Sequence, residues 1–219
     1  MELNALTAIS AIDGRYRSQV QHLDEYFSEY ALMKFRVVVE IEYFILLSEK
    51  GFFQLSSKTI QKLQQLKEDF NPEHAEKIKS IEKTTNHDVK AVEYFLKEVL
   101  ENLDEAKNKE WIHFALTSQD INNTAIPLSW KHAMEFEYLP ALFNLIAQLK
   151  YFANEWRFVP MLARTHGQPA SPTVLGKEIM VFAERLENQV EQLIQIPFSA
   201  KFGGATGNFN AHHVAFPDT

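Results

Sequence analysis

The chain has 219 residues, 46% hydrophobic and 23% charged, a balance that supplies a sizeable core and excludes a disordered or solvating chain. It has no cysteine, which excludes disulfides, thiolate metal sites and cysteine nucleophiles. Its net charge of −7 argues against nonspecific nucleic-acid binding, which needs a basic face, but leaves anionic small molecules open, because a few cations and helix N-termini can hold them.

The opening MELNALTAISAIDGRY lacks the basic and apolar regions of a signal peptide, and no stretch approaches the ~18 uninterrupted apolar residues of a membrane span. A cytoplasmic protein with no membrane partner is expected. With 7 glycines, 8 prolines and apolar residues at helical spacing in most segments, the chain reads as all-α, and no run of alternating β-branched residues predicts a strand. The first residues, to about Val20, are expected to be an arm with a turn at Asp13-Gly14. A long helix is expected from about His22 to Lys50, with Tyr30, Val37, Ile41 and Phe44 as its apolar stripe and Gly51 as its stop. Two shorter helices follow, at about 57–70 and 72–83, the second capped by Asn71 with Pro72 at its first position. The segment TTNHD interrupts the pattern before a helix from about Asp88 to Glu101.

Pro127 and Pro140 are expected to kink or start helices rather than sit deep inside them. Leu139, Leu142, Ile146, Leu149 and Ala153 recur at intervals of 3 and 4, as do Leu175, Ile179, Phe182, Leu186, Val190 and Leu193. These heptad-like seams predict two long helices packed nearly antiparallel in a bundle. Val174, Val181 and Ile194 lie off the seam, which fits either a second buried face or a broader core stripe. Between the two helices, FVPMLARTHGQPASP cannot be continuous helix, and Ser171-Pro172 reads as cap and first residue of the next one. AKFGGATGNFNAHH reads as a loop.

Four polar segments stand out. Asp13-Gly14-Arg15-Tyr16 is either a guanidinium and a phenol presented to a phosphate or carboxylate, or an ordinary surface turn. Thr84 to Asp88 is either a helix start that meets an anion, with His87 beside it, or a cluster of capping residues. In Trp111 to Asp120, the stretch Thr117 to Asp120 fits the capping pattern [ST]-x-x-[DE]. Its spare hydroxyls suit a substrate carboxylate, while His113 also reads as a satisfied core histidine. In Arg164 to Pro169, His166 sits on a loop constrained by Gly and Pro between rigid helices, and imidazole is the side chain best matched to proton transfer near neutral pH. No metal-ligand spacing, P-loop or G-x-G-x-x-G occurs, so neither a metal nor a cofactor is expected.

Together DGRY, TTNHDVKAVEYFL, FALTSQDINN, RTHGQPASP and GATGNFNAH resemble the fumarase/aspartase superfamily over essentially the whole chain. RTHxQ is shared with relatives such as argininosuccinate lyase and fumarase. NHDVKAVEYFL, and RTHGQPA followed by GNFNAH, are similar to the bacterial type of adenylosuccinate lyase. The resemblance implies an all-α fold with a helical N-terminal domain at 1–110 and the first part of a central bundle domain at 111–219. It implies β-elimination of fumarate from adenylosuccinate, giving AMP, and from SAICAR, giving AICAR, in a homotetramer with shared active sites. By resemblance Arg15 and Tyr16 hold the nucleotide near its phosphate, and Asn86, His87 and Asp88 form a second substrate loop with His87 auxiliary to the chemistry. Thr117 and Ser118 hold the succinyl carboxylates, His113 helps bind the nucleotide, and His166 is the general acid. Gln119 departs from the family's usual residue, with little consequence expected.

The family's mobile loop of the type GSSxMPxKxNP, which supplies the base, is absent from these 219 residues. The chain is therefore expected to be the N-terminal part of a longer protein and inactive alone. The competing readings are another fumarate-releasing lyase, such as argininosuccinate lyase, and a non-catalytic helical module, which would need none of the polar motifs.

Overall fold

A computed structural model describes residues 1–218. Two compact units are present: Met1–Lys131 together with the segment from Ser199 onward, and His132–Phe198.

The first unit is built on α3 (Glu29–Glu49). Val37, Ile41 and Phe44 have no exposed surface, and they meet Leu63 of α4 (Ser57–Glu68), Ile78 of α5 (Pro72–Thr85), and Leu96 and Leu100 of α6 (Asp88–Asn102). The stripe expected along this helix, Tyr30 included, is thus the main core. A smaller cluster of Phe35, Val39, Val89, Ile121 and Ala125 joins α3 to the beginnings of α6 and α7 (Ser118–Ala133).

Local chemistry explains where the helix boundaries fall. The arm expected to Val20 gives way to a helix, α1 (Asp13–Val20). The nearly buried Asp13 carboxylate accepts from the N–H groups of Ile9 (2.5 Å) and Ser10 (2.7 Å) and pairs with Arg17 (2.8 Å), turning the chain into the helix at the place where a simple turn is expected. The single helix expected from His22 to Lys50 is divided into a 3-10 turn (Gln21–Leu23), α2 (Asp24–Phe27) and α3. The break is at Ser28, whose backbone is extended. Its hydroxyl donates to the Asp24 carbonyl and accepts from Ala31 N–H at 3.1 Å, closing one helix and capping the next. Gly51, at φ +86°, ends α3 as expected. Asn71 caps α5 in a reciprocal box with His74. A 3-10 turn, Ala106–Trp111, leads towards α7, and the stretch expected to be loop throughout ends in α10 (Asn210–Ala215).

Pro127 lies inside α7, contrary to expectation. Having no N–H, it leaves the Asn123 carbonyl without its intrahelical donor, and the Lys201 N–H takes that place at 3.4 Å. Pro140, by contrast, opens α8 (Leu139–Glu155), after a π-helical turn at Met134–Tyr138.

The second unit joins α8 to α9 (Leu175–Leu193) through an antiparallel hairpin, β1 (Pro160–Thr165) and β2 (Gln168–Val174). The hairpin corrects the expectation of no strand, and the helix expected from Ser171-Pro172 starts instead at Leu175, with Ser171 and Pro172 in β2. Each strand of a two-stranded sheet is an edge, so prolines are tolerated there. The two loop residues, His166 at φ +49° and Gly167 at φ +75°, have the positive φ pair that a tight hairpin turn needs. Ile146 and Ala153 on α8 and Gly176, Ala183 and Val190 on α9 are buried. Ala153 meets Gly176 while Lys150 pairs with Glu187, so the two helices run antiparallel as expected. Small residues displace the expected seam: Ala183 takes the buried position and Phe182 is 56% exposed. Of the off-seam residues, Val174 and Val181 are half-buried and Ile194 is exposed.

A Cβ at Gly176 would lie 2.1 Å from the Ala153 carbonyl oxygen and 2.8 Å from Arg157 backbone atoms. Alanine gains ~1 kcal/mol of helix propensity over glycine, but a backbone-on-backbone clash cannot be relieved by a rotamer change. Gly176→Ala should therefore cost about 1–3 kcal/mol, read by urea unfolding. An unchanged or higher midpoint would contradict this packing.

Candidate active site

α5 and α6 are separated by two residues. Asn86 adopts φ +52° and His87 is extended, so the chain turns sharply and the His87 ring caps α6, its Nδ1 accepting the Lys90 N–H at 3.1 Å. A ring nitrogen that accepts carries no proton, so the neutral imidazole holds its proton on Nε2. That Nε2 stands 3.5 Å from Oγ of Ser118, the first residue of α7. His87 is thus presented as an N–H donor beside the positive end of a helix.

Below these two groups lies Arg36 of α3, 6% exposed. Its Nη2 donates to Asp88 Oδ2 at 2.6 Å and its Nε to Asn122 Oδ1 at 2.9 Å. Burial opposes ionisation of Asp88, but the Arg36 guanidinium and the Val89 N–H together outweigh it and hold the carboxyl below its ordinary value. Arg36, Asn86, His87 and Asp88 line a cleft of about 700 Å³ whose apolar wall includes Phe27 and Trp130, packed edge to face.

The start of α7 is held by Asp120, which has no exposed surface. Its carboxylate accepts from Thr117 N–H (2.9 Å), completing the expected capping pattern, and from Gly203 N–H (2.9 Å), Gly204 N–H (3.1 Å) and Lys201 Nζ (2.8 Å). Burial again raises the cost of its charge, and these donors more than offset it, leaving the carboxyl below its ordinary value. The glycine-rich segment is therefore fastened to the helix start that carries Thr117 and Ser118.

His113 and Ala115 both have positive φ, 58° and 59°, which is strained for residues with a Cβ. The fully buried Glu40 clamps this loop: His113 donates to it from its backbone N–H (3.2 Å) and from Nδ1 (2.5 Å). Burial pushes the Glu40 carboxyl up despite its pairing with His113, and it acts to lower the His113 pKa. At His113, hydrogen bonding to Glu40 and its charge outweigh burial and raise the pKa, so the proton shared by the pair is held on the imidazole side. Tyr43 donates to the Phe114 carbonyl at 3.1 Å, and burial pushes its phenol up to about 12, so it remains a donor at neutral pH.

Of the residues singled out from sequence, His87 and Ser118 are brought together, with Asn86, Asp88 and Thr117 as their chain neighbours; Asn86, His87 and Asp88 line the cleft, and Thr117 and Ser118 do not. His113 is committed to Glu40. Arg15 and Tyr16 sit exposed on α1, with the guanidinium 5.5 Å from the ring centroid, and do not line the cleft. His166 is exposed at the hairpin tip of the second unit. Arg36, Glu40, Asp120 and Lys201 organise the site and were not among the candidates. The available signal was a pair of charges four residues apart, Arg36 and Glu40, inside the apolar run of α3.

A family model described as Lyase matches residues 14–218. The chain is 56% identical over 99% of its length to an adenylosuccinate lyase from Dictyostelium discoideum, and 45% identical over its full length to one from Escherichia coli K12. It spans about half the length of these relatives, 48% and 49%. Among solved structures it is similar to a fumarate lyase from Mesorhizobium sp. BNC1 (TM-score 0.70, 20% identity, 87% of this chain and 44% of that one). It is also similar to a β-carboxy-cis,cis-muconate cycloisomerase from Acinetobacter calcoaceticus (TM-score 0.66, 22% identity, 90% and 46%). At such identities these structures speak for the fold alone.

The clamp on His113 has a measurable signature. Its imidazole should titrate above the ordinary value of 6.5 by NMR, and in Glu40→Gln, where burial remains and the carboxylate is gone, below it. Because the folded-state pKa is raised, the stabilisation it brings is full below the unfolded value and is lost as pH rises through the folded one. An unmoved titration in Glu40→Gln would contradict the pairing.

Proposed function

The chain belongs to the lyase family whose model its residues 14–218 match, and on that premise we propose that it forms part of an adenylosuccinate lyase. The proposed reaction is β-elimination of fumarate from adenylosuccinate, giving AMP, and from SAICAR, giving AICAR. The observation that carries the reading is the 45–56% identity along essentially the whole chain to proteins of that name. A carboxylate-binding geometry alone would fit many lyases.

In this reading a base removes the proton from Cβ of the succinyl group, and the electron pair is held in the adjacent carboxylate. As that pair returns to form the fumarate double bond, the C–N bond breaks and its electrons go to the leaving nitrogen, which takes a proton from the general acid. Acid and base act on different atoms, so two groups are needed. We assign the acid to His166 and leave the base unassigned within this chain. Negative charge accumulates on the carboxylate next to the deprotonated carbon, and donors fixed beforehand lower the barrier. Thr117 and Ser118 at the positive end of α7, and the Nε2–H of His87, suit that role. Arg15 and Tyr16 are assigned to the nucleotide phosphate, Asn86 and Asp88 to the substrate loop, and His113 to the nucleotide. Association into a cytoplasmic homotetramer with shared sites is part of the proposal. It is supported by the apolar side chains exposed on α8 and α9, among them Phe143, Leu145, Tyr151 and Phe182.

The test is fumarate release by the complete protein from adenylosuccinate and from argininosuccinate. Release from the first alone is expected, and release from argininosuccinate alone would overturn the assignment. His166→Ala should lower turnover by about 10²–10⁴, the range for a positioned acid–base group. Near-native turnover in that variant would remove His166 from the chemistry.

A further inference from the structure

We propose that Arg36 is a positioning residue of this site: its buried guanidinium braces the start of α6 against the start of α7 and so sets His87 Nε2 opposite Ser118 Oγ. The inference rests on the functional reading above, in which those two groups meet the substrate carboxylates.

The two bonds of Arg36 go to neighbours of the two site residues. Asp88 follows His87 directly, and Asn122 lies one helical turn beyond Ser118. The direct contact between His87 and Ser118 is 3.5 Å, at the outer limit of a hydrogen bond and too weak to hold two helices in register. The guanidinium bonds, at 2.6 and 2.9 Å, are short and charge-assisted or well formed. They leave from two nitrogens fixed in one rigid plane, which a lysine's single ammonium cannot reproduce. Apolar contacts flank the brace residue by residue: Phe35 beside Arg36, Val89 beside Asp88 and Ile121 beside Asn122 all belong to one buried cluster.

The brace also has an electrostatic consequence. Asp88 lines the cleft, and an unpaired carboxylate there would repel a substrate bearing carboxylates. Pairing with Arg36 cancels that charge, as pairing with Lys79 does for Glu29 and Glu82, the other carboxylates lining the cleft, and leaves His87 there as a group able to donate to an anion. Arg36 itself is 6% exposed and committed on two sides, so its action passes through its neighbours rather than through the substrate.

The test uses the complete protein with Arg36→Met and Arg36→Lys, each alone and combined with His87→Ala. Displacement of a positioned group by about 1 Å can cost on the order of 100-fold. Arg36→Met should lower kcat about 10- to 100-fold with KM moving less, and Arg36→Lys should recover only part of the loss. In the His87→Ala background Arg36→Met should cost no more than about three-fold in kcat, because the group it positions is gone, while the smaller rise in KM from the unpaired Asp88 is the same in both backgrounds. Equal losses in kcat in both backgrounds would overturn the proposal. Should Arg36→Met fail to fold, Asn122→Ala leaves the Arg36–Asp88 pair intact and runs through the same cycle with the same two outcomes. The ring ¹⁵N shifts of His87, recorded without substrate, test the brace apart from the function. The acceptor form of Nδ1 should be lost or averaged in Arg36→Met, and unchanged shifts would contradict the brace. Wild-type protein that releases no fumarate from adenylosuccinate, yet shows the ring change, would sink the functional reading and leave the brace standing.

Discussion

The carboxylate of Asp120 has no contact with solvent and must be neutralised where it lies. A buried charge of this kind is tolerated only when donors converge on it, and here they come from two distant stretches of chain: Thr117 at the start of α7, and Lys201, Gly203 and Gly204 more than 80 residues later. The Lys201 N–H also fills the vacancy that Pro127 leaves at the Asn123 carbonyl. A glycine-rich segment that would otherwise be an open loop is thereby fixed against a helix start. With Asp120 satisfying the local backbone, the Ser118 hydroxyl is left to face His87.

Arg36 and Glu40 follow the same logic. Each is an ionisable group buried on α3, and each reaches across to a segment that carries a candidate site residue: Arg36 to the half-exposed Asp88 and to Asn122, Glu40 to His113. An ion pair with a buried member contributes little net stability compared with well-packed apolar residues, because desolvation consumes most of the attraction. Removing one partner, in contrast, leaves an uncompensated charge. Such pairs therefore act chiefly to define geometry, and at Glu40 the geometry defined is a loop with two residues at positive φ. The main core around Phe44 and Leu96 lies on the remainder of α3, so one helix carries both the packing and the anchors.

Features that depend on local chemistry were legible in the sequence. The Asn71 cap, the Gly51 stop and the 3.6-residue stripe of α3 are decided within a few residues. The capping pattern from Thr117 to Asp120 was visible for the same reason, but not the other donors that Asp120 collects, which depend on the fold. Arg36 meets partners 52 and 86 residues away, and no local pattern announces them. The hairpin escaped because its strands carry prolines instead of alternating β-branched residues and turn on His166-Gly167. The seam of α9 was misplaced at Phe182 because close approach of helices favours Gly176 and Ala183, small residues that a count of large apolar side chains passes over. Among the site candidates, residue type identified His87 and Ser118 separately. Their juxtaposition required the fold.

Hydrogen exchange in Asp120→Ala measures most directly whether buried charges hold the site together. Truncation leaves one buried and two part-buried N–H groups without their acceptor, at a cost of roughly 1–3 kcal/mol for the buried one. The amides of Thr117, Gly203 and Gly204 should lose protection together, by about 10-fold or more, while those of α4 to α6 around Leu63, Ile78 and Leu96 keep theirs. Unchanged protection at those three amides, or loss spread evenly over the whole unit, would contradict the role given to Asp120.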